Sequence, residues 1–154
     1  HKCILAARSP VFLAQFFGPM KEKSLTNIKI KEMEAPVFKS LLHFIYHDSF
    51  PRFEEQKESK EEQDNQLMVR HLLAAADKYG LDRLKIMCEK NLADSLDTSK
   101  VVNLLSLADR HNCIYLKSIC LKLLVTADII GEVLETEEFQ QMVKNDPLIL
   151  KDLL

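Results

Sequence analysis

The sequence predicts an α+β fold that is predominantly helical. Apolar residues recur at helical spacing over most of the 154 residues. Only the stretch from Leu25 to Lys31 alternates apolar and polar residues like a half-buried strand. The second half holds a helix–turn–helix pattern that returns thirty-two residues later.

Taken in order, Lys2 to Arg8 reads as a short helix with Ile4 and Leu5 on its apolar side. Ser9-Pro10 then fits an N-cap followed by proline at the first helical position, where the missing N–H costs nothing. Val11, Phe12, Phe16 and Phe17 supply apolar contacts for the next helix, and Gly18-Pro19 stops it. Ile28 and Ile30 alternate with Asn27, Lys29 and Lys31. A lone strand cannot satisfy its own backbone, and no second convincing strand is visible. Its partners are expected upstream of the chain or on another chain. Pro36 to Tyr46 reads as a strong apolar helix ending near His47-Asp48, before Pro51. Arg52 to Gln66 is highly polar and acidic, a pattern that fits a solvated loop or a frayed helix.

The repeat then begins. Leu72, Leu73, Ala76, Asp77, Leu84, Lys85, Cys88, Lys90 and Leu92 recur as Leu104, Leu105, Ala108, Asp109, Leu116, Lys117, Cys120, Lys122 and Leu124. Each unit is a helix, a tight turn and a second helix. Gly80 suits the first turn and Asn112 the second, since both tolerate a left-handed backbone. Asp97 is a candidate cap for the third helix of the set. Two hairpins are too few for a free-standing repeat array, so they must lean on the first half. Ile129 to Leu134, Glu138 to Val143 and Pro147 to Leu154 read as further short helices.

Composition narrows the function. An apolar fraction of 47% is ample for a core, and 29% charged residues is ordinary for a soluble surface. A net charge of −2 provides no bulk basic field to attract nucleic acid or anionic lipid. No apolar run approaches the roughly 18 residues of a membrane span. The four cysteines, at 3, 88, 113 and 120, never form CxxC and sit in apolar helical patterns. That fits free thiols in a reducing compartment, the cytoplasm or nucleus.

Motifs for catalysis are sparse. His43 and His47 lie four apart on one helix, and His111 and Cys113 flank a turn, but neither pair has partners at metal-ligand spacing. The only glycines are Gly18, Gly80 and Gly131, which excludes GxGxxG and P-loop phosphate cradles. A nucleophile built from Cys120 or Cys113 with His111 would lack an oxyanion loop. No catalytic residue, cofactor or metal ligand is therefore expected. Protein binding remains. Met20-Lys21-Glu22 follows the helix break, and an exposed Met beside a carboxylate suits a partner pocket. An ordinary loop with one tucked-in Met would read the same way.

The opening run, His1-Lys2-Cys3-Ile4-Leu5-Ala6-Ala7-Arg8-Ser9-Pro10-Val11-Phe12, resembles the dimer-forming helices of BTB (POZ) domains. Phe16-Phe17-Gly18-Pro19-Met20-Lys21-Glu22 is similar to plant MATH–BTB proteins, relatives of speckle-type POZ protein. Val37-Phe38-Lys39 with Phe44-Ile45-Tyr46 resembles the family's helix after the strand, and Leu72 to Leu81 its closing hairpin. Leu107-Ala108-Asp109 with Leu116-Lys117 is similar to the start of the BACK-type extension.

The resemblance implies a BTB/POZ fold over residues 1–95 that lacks its first strands, then a partial BACK-type extension over 96–154. It implies a substrate adaptor for cullin-3 ubiquitin ligases, with substrates held by a MATH domain outside this chain. Met20 and Glu22 match the family's hydrophobic-x-Glu cullin motif as knob and anchor, and Phe17, Tyr46 and His47 border the same surface. The helices from Asp97 to Leu124 would widen the contact. Ile4 and Leu5 are the expected homodimer residues, and Leu154 falls in a helix serving a second self-association surface in relatives. The alternative is a self-associating or transcription-linked BTB scaffold that binds no cullin.

Three departures accompany the resemblance. The family's upstream strands and dimer helix do not precede His1, no MATH domain is present, and the acidic stretch from Arg52 to Gln66 is longer than usual. The chain is expected to begin inside its own domain and to end, at Leu153-Leu154, inside a helical module.

Overall fold

The computed structural model describes residues 1–19, 27, 29–53 and 59–153. It divides into two compact units, His1–Cys88 and Glu89–Leu154. The predominantly helical fold expected from the sequence is observed. Among the described residues no strand forms, and Asn27 and Lys29 to Lys31 join no ladder. A strand exists only through a partner, and the described residues offer none. The rest of the expected strand, together with Met20, Glu22 and Leu154, lies outside the described residues.

The first unit opens with α1 (Lys2–Arg8) and α2 (Pro10–Phe17), which meet at the extended Ser9. The Ser9 hydroxyl accepts the Phe12 N–H at 3.2 Å, the expected cap, and Pro10 occupies the first turn. The same hydroxyl donates to the Tyr79 carbonyl at 2.6 Å and is buried. One atom thus starts α2 and fixes it to the end of a helix seventy residues away. Phe12 lies between Phe16 and Tyr79, at ring distances of 5.4 and 4.5 Å. Val11 and Phe17, by contrast, are exposed and contribute little to this core.

The third helix, α3 (Ala35–His47), buries Val37, Leu41, Phe44 and Ile45 at helical spacing. It ends at Asp48 in the left-handed region, with φ 53°. The long α4 (Ser59–Lys78) takes its first turns from the polar segment, and Glu62, Gln63 and Asp64 are exposed there. From Ser59 onward that segment is therefore helical. The next helix, α5 (Asp82–Asp94), runs across the division between the units.

The second unit contains α6 (Val101–Arg110), α7 (Ile114–Thr126), α8 (Ile130–Leu134), α9 (Glu137–Asn145) and α10 (Leu148–Leu153). Asp97 does not cap α6 directly. Its carboxylate accepts the Ser99 and Lys100 N–H groups at 3.0 Å each, closing the turn just before the helix. Thr136 caps α9 by accepting the Phe139 N–H at 3.4 Å. Phe139, Met142 and Ile149 seat α9 and α10 in the core.

The sequence repeat is also a conformational repeat. The Leu81 N–H reaches the Ala76 carbonyl at 2.8 Å, and the Cys113 N–H reaches the Ala108 carbonyl at 2.8 Å. Gly80 and Asn112 hold the left-handed positions of these turns, at φ 65° and 53°. Lys85 pairs with Asp77 at 2.9 Å, and Lys117 pairs with Asp109 at 3.3 Å. All six recurring apolar positions in each hairpin are buried. All the shared residues but the exposed Lys90 and Lys122 therefore close the turn, pair across it, or fill the core.

Candidate protein-docking surface

Of the residues expected to border the cullin contact, Phe17, Tyr46 and His47 stand at the C-terminal ends of α2 and α3. Phe17 is the last residue of α2 and is 47% exposed. A Cβ at Gly18 would lie 2.1 Å from the Ala14 carbonyl oxygen, so this close-packed helix end excludes any side chain there. Tyr46 and His47 close α3, and both are exposed.

Several contacts fix the end of α3. The Tyr46 hydroxyl hydrogen-bonds His1, whose ring lies 5.8 Å from the phenol ring. The His47 ring lies 4.6 Å from His43, and His43 meets the Ser49 hydroxyl at 3.2 Å. Asp48 takes one guanidinium from each side, Arg8 at the end of α1 and Arg83, at 2.6 Å, at the start of α5. The Arg8 hydrogen bond holds the Asp48 carboxyl below the usual carboxylate range, and attraction to Arg83 adds to the effect. The Arg8 guanidinium also lies over Phe44, 5.5 Å from the ring centre. Three helices therefore converge on one carboxylate next to Tyr46 and His47. The sequence reading missed this hub. The legible signal was a charged residue directly after an apolar helix, where C-caps occur.

On α1, Ile4 is 42% exposed, whereas Leu5 is half-buried and Ala6 faces the core. Ile4 is thus the accessible apolar group of the two expected at a dimer contact. Val11 and Leu13 on α2 are also exposed. In the second unit, Ile114 and Tyr115 begin α7 at 83% and 45% exposure. The repeat hid them, because the equivalent positions in the first hairpin are the charged Asp82 and Arg83.

Cys88, Cys113 and Cys120 are buried, and burial pushes the Cys120 thiol up to about 12. Among the described residues, no three His, Cys, Asp or Glu side chains are grouped to hold a metal ion. No helix there is long and apolar enough to cross a membrane.

Comparison with known families assigns these surfaces a context. Residues 1–96 match the BTB/POZ domain. The chain belongs to the BTB/POZ family. Residues 100–154 match the BPM/SPOP, BACK domain, so this BTB chain continues into BACK helices. The whole chain aligns with BTB/POZ and MATH domain-containing protein 3 of Arabidopsis thaliana at 43% identity, covering 38% of that protein. It aligns with BTB/POZ and MATH domain-containing proteins 4 and 6 of the same plant at 37% and 36%, covering 33% and 38% of them. It therefore spans little more than a third of these relatives' length.

Proposed function

We propose that this BTB–BACK chain is the recruiting part of a substrate adaptor for a cullin-3 ubiquitin ligase, acting by binding and not by catalysis. The observation that carries the reading is its full-length similarity to plant BTB/POZ and MATH domain-containing proteins. In this reading residues 1–95 form the BTB part and 96–154 the BACK-type part. Met20 inserts into cullin-3 and Glu22 anchors beside it, while Phe17, Tyr46 and His47 border the contact. Exposure of those three side chains supports their role. The helices from Asp97 to Leu124 widen the surface, and Ile114 and Tyr115 supply exposed apolar area there.

Homodimerisation through Ile4 and Leu5, with Leu154 serving a second self-association surface, would pair two cullin-binding faces. Substrates would be held by a MATH domain outside this chain. Two linked copies gain avidity because the second contact becomes intramolecular. The proposed setting is the nucleus, the cytoplasm or both.

Calorimetric titration with the N-terminal part of cullin-3 tests the reading, with wild type compared against Met20→Asp. Tight wild-type binding that is lost in the variant is expected, with circular dichroism showing both equally helical. A folded wild type with no affinity would overturn it. The exposed Ile4 is equally compatible with a second reading, a self-associating scaffold without a cullin, which predicts dimers that show no cullin affinity under those same conditions.

A further inference from the structure

Helix α3 and the loop after it enclose an open cavity of about 530 Å³, lined by Lys39, Ser40, His43, Ser49, Phe50, Pro51 and Arg52. Its polar groups are donors or can act as donors: an ammonium, a guanidinium, an imidazole and two hydroxyls. No carboxylate is among the described residues that line it. Among the described residues, neither Lys39 nor Arg52 has a carboxylate within salt-bridge range. Two other cavities of the first unit differ. The one beside Arg8 and Arg83 also holds Asp48 and Asp82, and the one beside Lys78 and His71 also holds Glu32 and Glu34. Their cations already face anions within the chain.

We infer that the Lys39–Arg52 cavity is a docking site for a phosphoryl group carried on a peptide. A phosphoserine or phosphothreonine brings close to two negative charges and three acceptor oxygens. A guanidinium fork with an ammonium and hydroxyl donors matches that demand better than it matches one carboxylate. The loop that presents Arg52 is shaped by local contacts. Pro51 is buried, and the Phe50 and Phe53 rings meet edge to face at 6.0 Å. Ser49 is held toward the cavity by its hydrogen bond to His43. Phe50 and Pro51 give an apolar wall for a residue flanking the phosphate. Nucleic acid fits less well, because two cations match one phosphate and the chain carries no basic track to continue along a strand. The site does not depend on cullin binding, and its test involves no cullin.

The test is a titration of the isotope-labelled chain by nuclear magnetic resonance. The probe is a blocked pentapeptide, glycine–phenylalanine–phosphoserine–glycine–glycine, at constant ionic strength. Saturable shifts at Ser40, His43 and Ser49 are expected. The double variant Lys39→Met/Arg52→Met should weaken binding at least tenfold while its thermal melt stays unchanged. Both side chains are exposed, so this variant keeps the fold. Equal shifts with the unphosphorylated peptide, or an unchanged affinity in the double variant, would overturn the site. Equal affinity for inorganic phosphate would overturn the assignment to a peptide.

Discussion

Glu89 accepts the backbone N–H of Leu116 at 3.0 Å, from a side chain that is only 4% exposed. Leu116 is the third residue of α7, so a buried carboxylate satisfies one of the donors that a helix start leaves open. It also faces the positive end of the helix. Cys113, at the N-cap itself, makes no side-chain cap bond. Glu89→Ala should therefore cost about 2 kcal/mol, the range for a hydrogen bond to a charged group. Glu89→Gln keeps an acceptor and should lose less. Urea unfolding of the three proteins checks the order.

Ser9→Ala removes two bonds at one atom. The Phe12 N–H loses its cap, and the buried Tyr79 carbonyl loses a donor at 2.6 Å. A loss of about 2 kcal/mol is expected, with the cap and the unsatisfied carbonyl each contributing. Thermal melts and amide exchange at the start of α2 measure it. Ser9→Thr should retain most of the stability if its methyl group is accommodated.

The two hairpin turns share a conformation but should differ in tolerance. At Gly80 a Cβ would meet the Pro10 ring at 2.8 Å, at a φ of 65°. Gly80→Ala should cost well over about 1 kcal/mol, because steric overlap adds to the left-handed penalty. Asn112 has the same turn at φ 53° and is exposed. Asn112→Gly should be neutral or stabilising by a few tenths of a kcal/mol. Chemical denaturation of both variants decides it.

Thiol alkylation of the native chain should mark Cys3 alone. Cys3 is exposed, and the other three cysteines are buried. With the Cys120 thiol near 12, its thiolate fraction at pH 8 is about one in ten thousand. Mass spectrometry before and after denaturation reads the pattern. Selective native labelling of Cys113 or Cys120 would revive a nucleophilic role with His111.

The Asp48 hub predicts an acid-sensitive contribution to stability. Its carboxyl titrates lower in the folded chain than the ordinary 3.8. The contribution is therefore fully present above that value and fades as pH falls through the lower folded one. The melting difference between wild type and Asp48→Asn should stay constant above pH 5 and shrink below about pH 4. Asn tolerates the left-handed backbone at this position, so the comparison isolates the charge. Salt should also reduce the difference, because the carboxylate and both arginines are solvent-accessible.

Helices, caps and turns were legible because each is set within a few residues. The bounds of α1, the Ser9-Pro10 start and the left-handed Gly80 and Asn112 follow from local backbone geometry. The thirty-two-residue repeat was legible for the same reason, since identical short patterns close identical turns. Alternation from Leu25 to Lys31 sets which faces that segment would show, while pairing depends on a neighbour that the segment does not specify; part of the segment lies outside the described residues.

The sequence by itself determined a predominantly helical chain, its hairpin repeat, its apolar core positions and its likeness to BTB and BACK families. Only the tertiary structure decided which charges meet. Asp48 finds Arg8 and Arg83, and Glu89 finds Leu116, across separations of 27 to 40 residues. It also placed Lys39 and Arg52 at one cavity, with no carboxylate among the described residues that line it. Helical periodicity repeats every few residues and can be read along the chain. Charge pairing depends on distance in space, which packing alone sets.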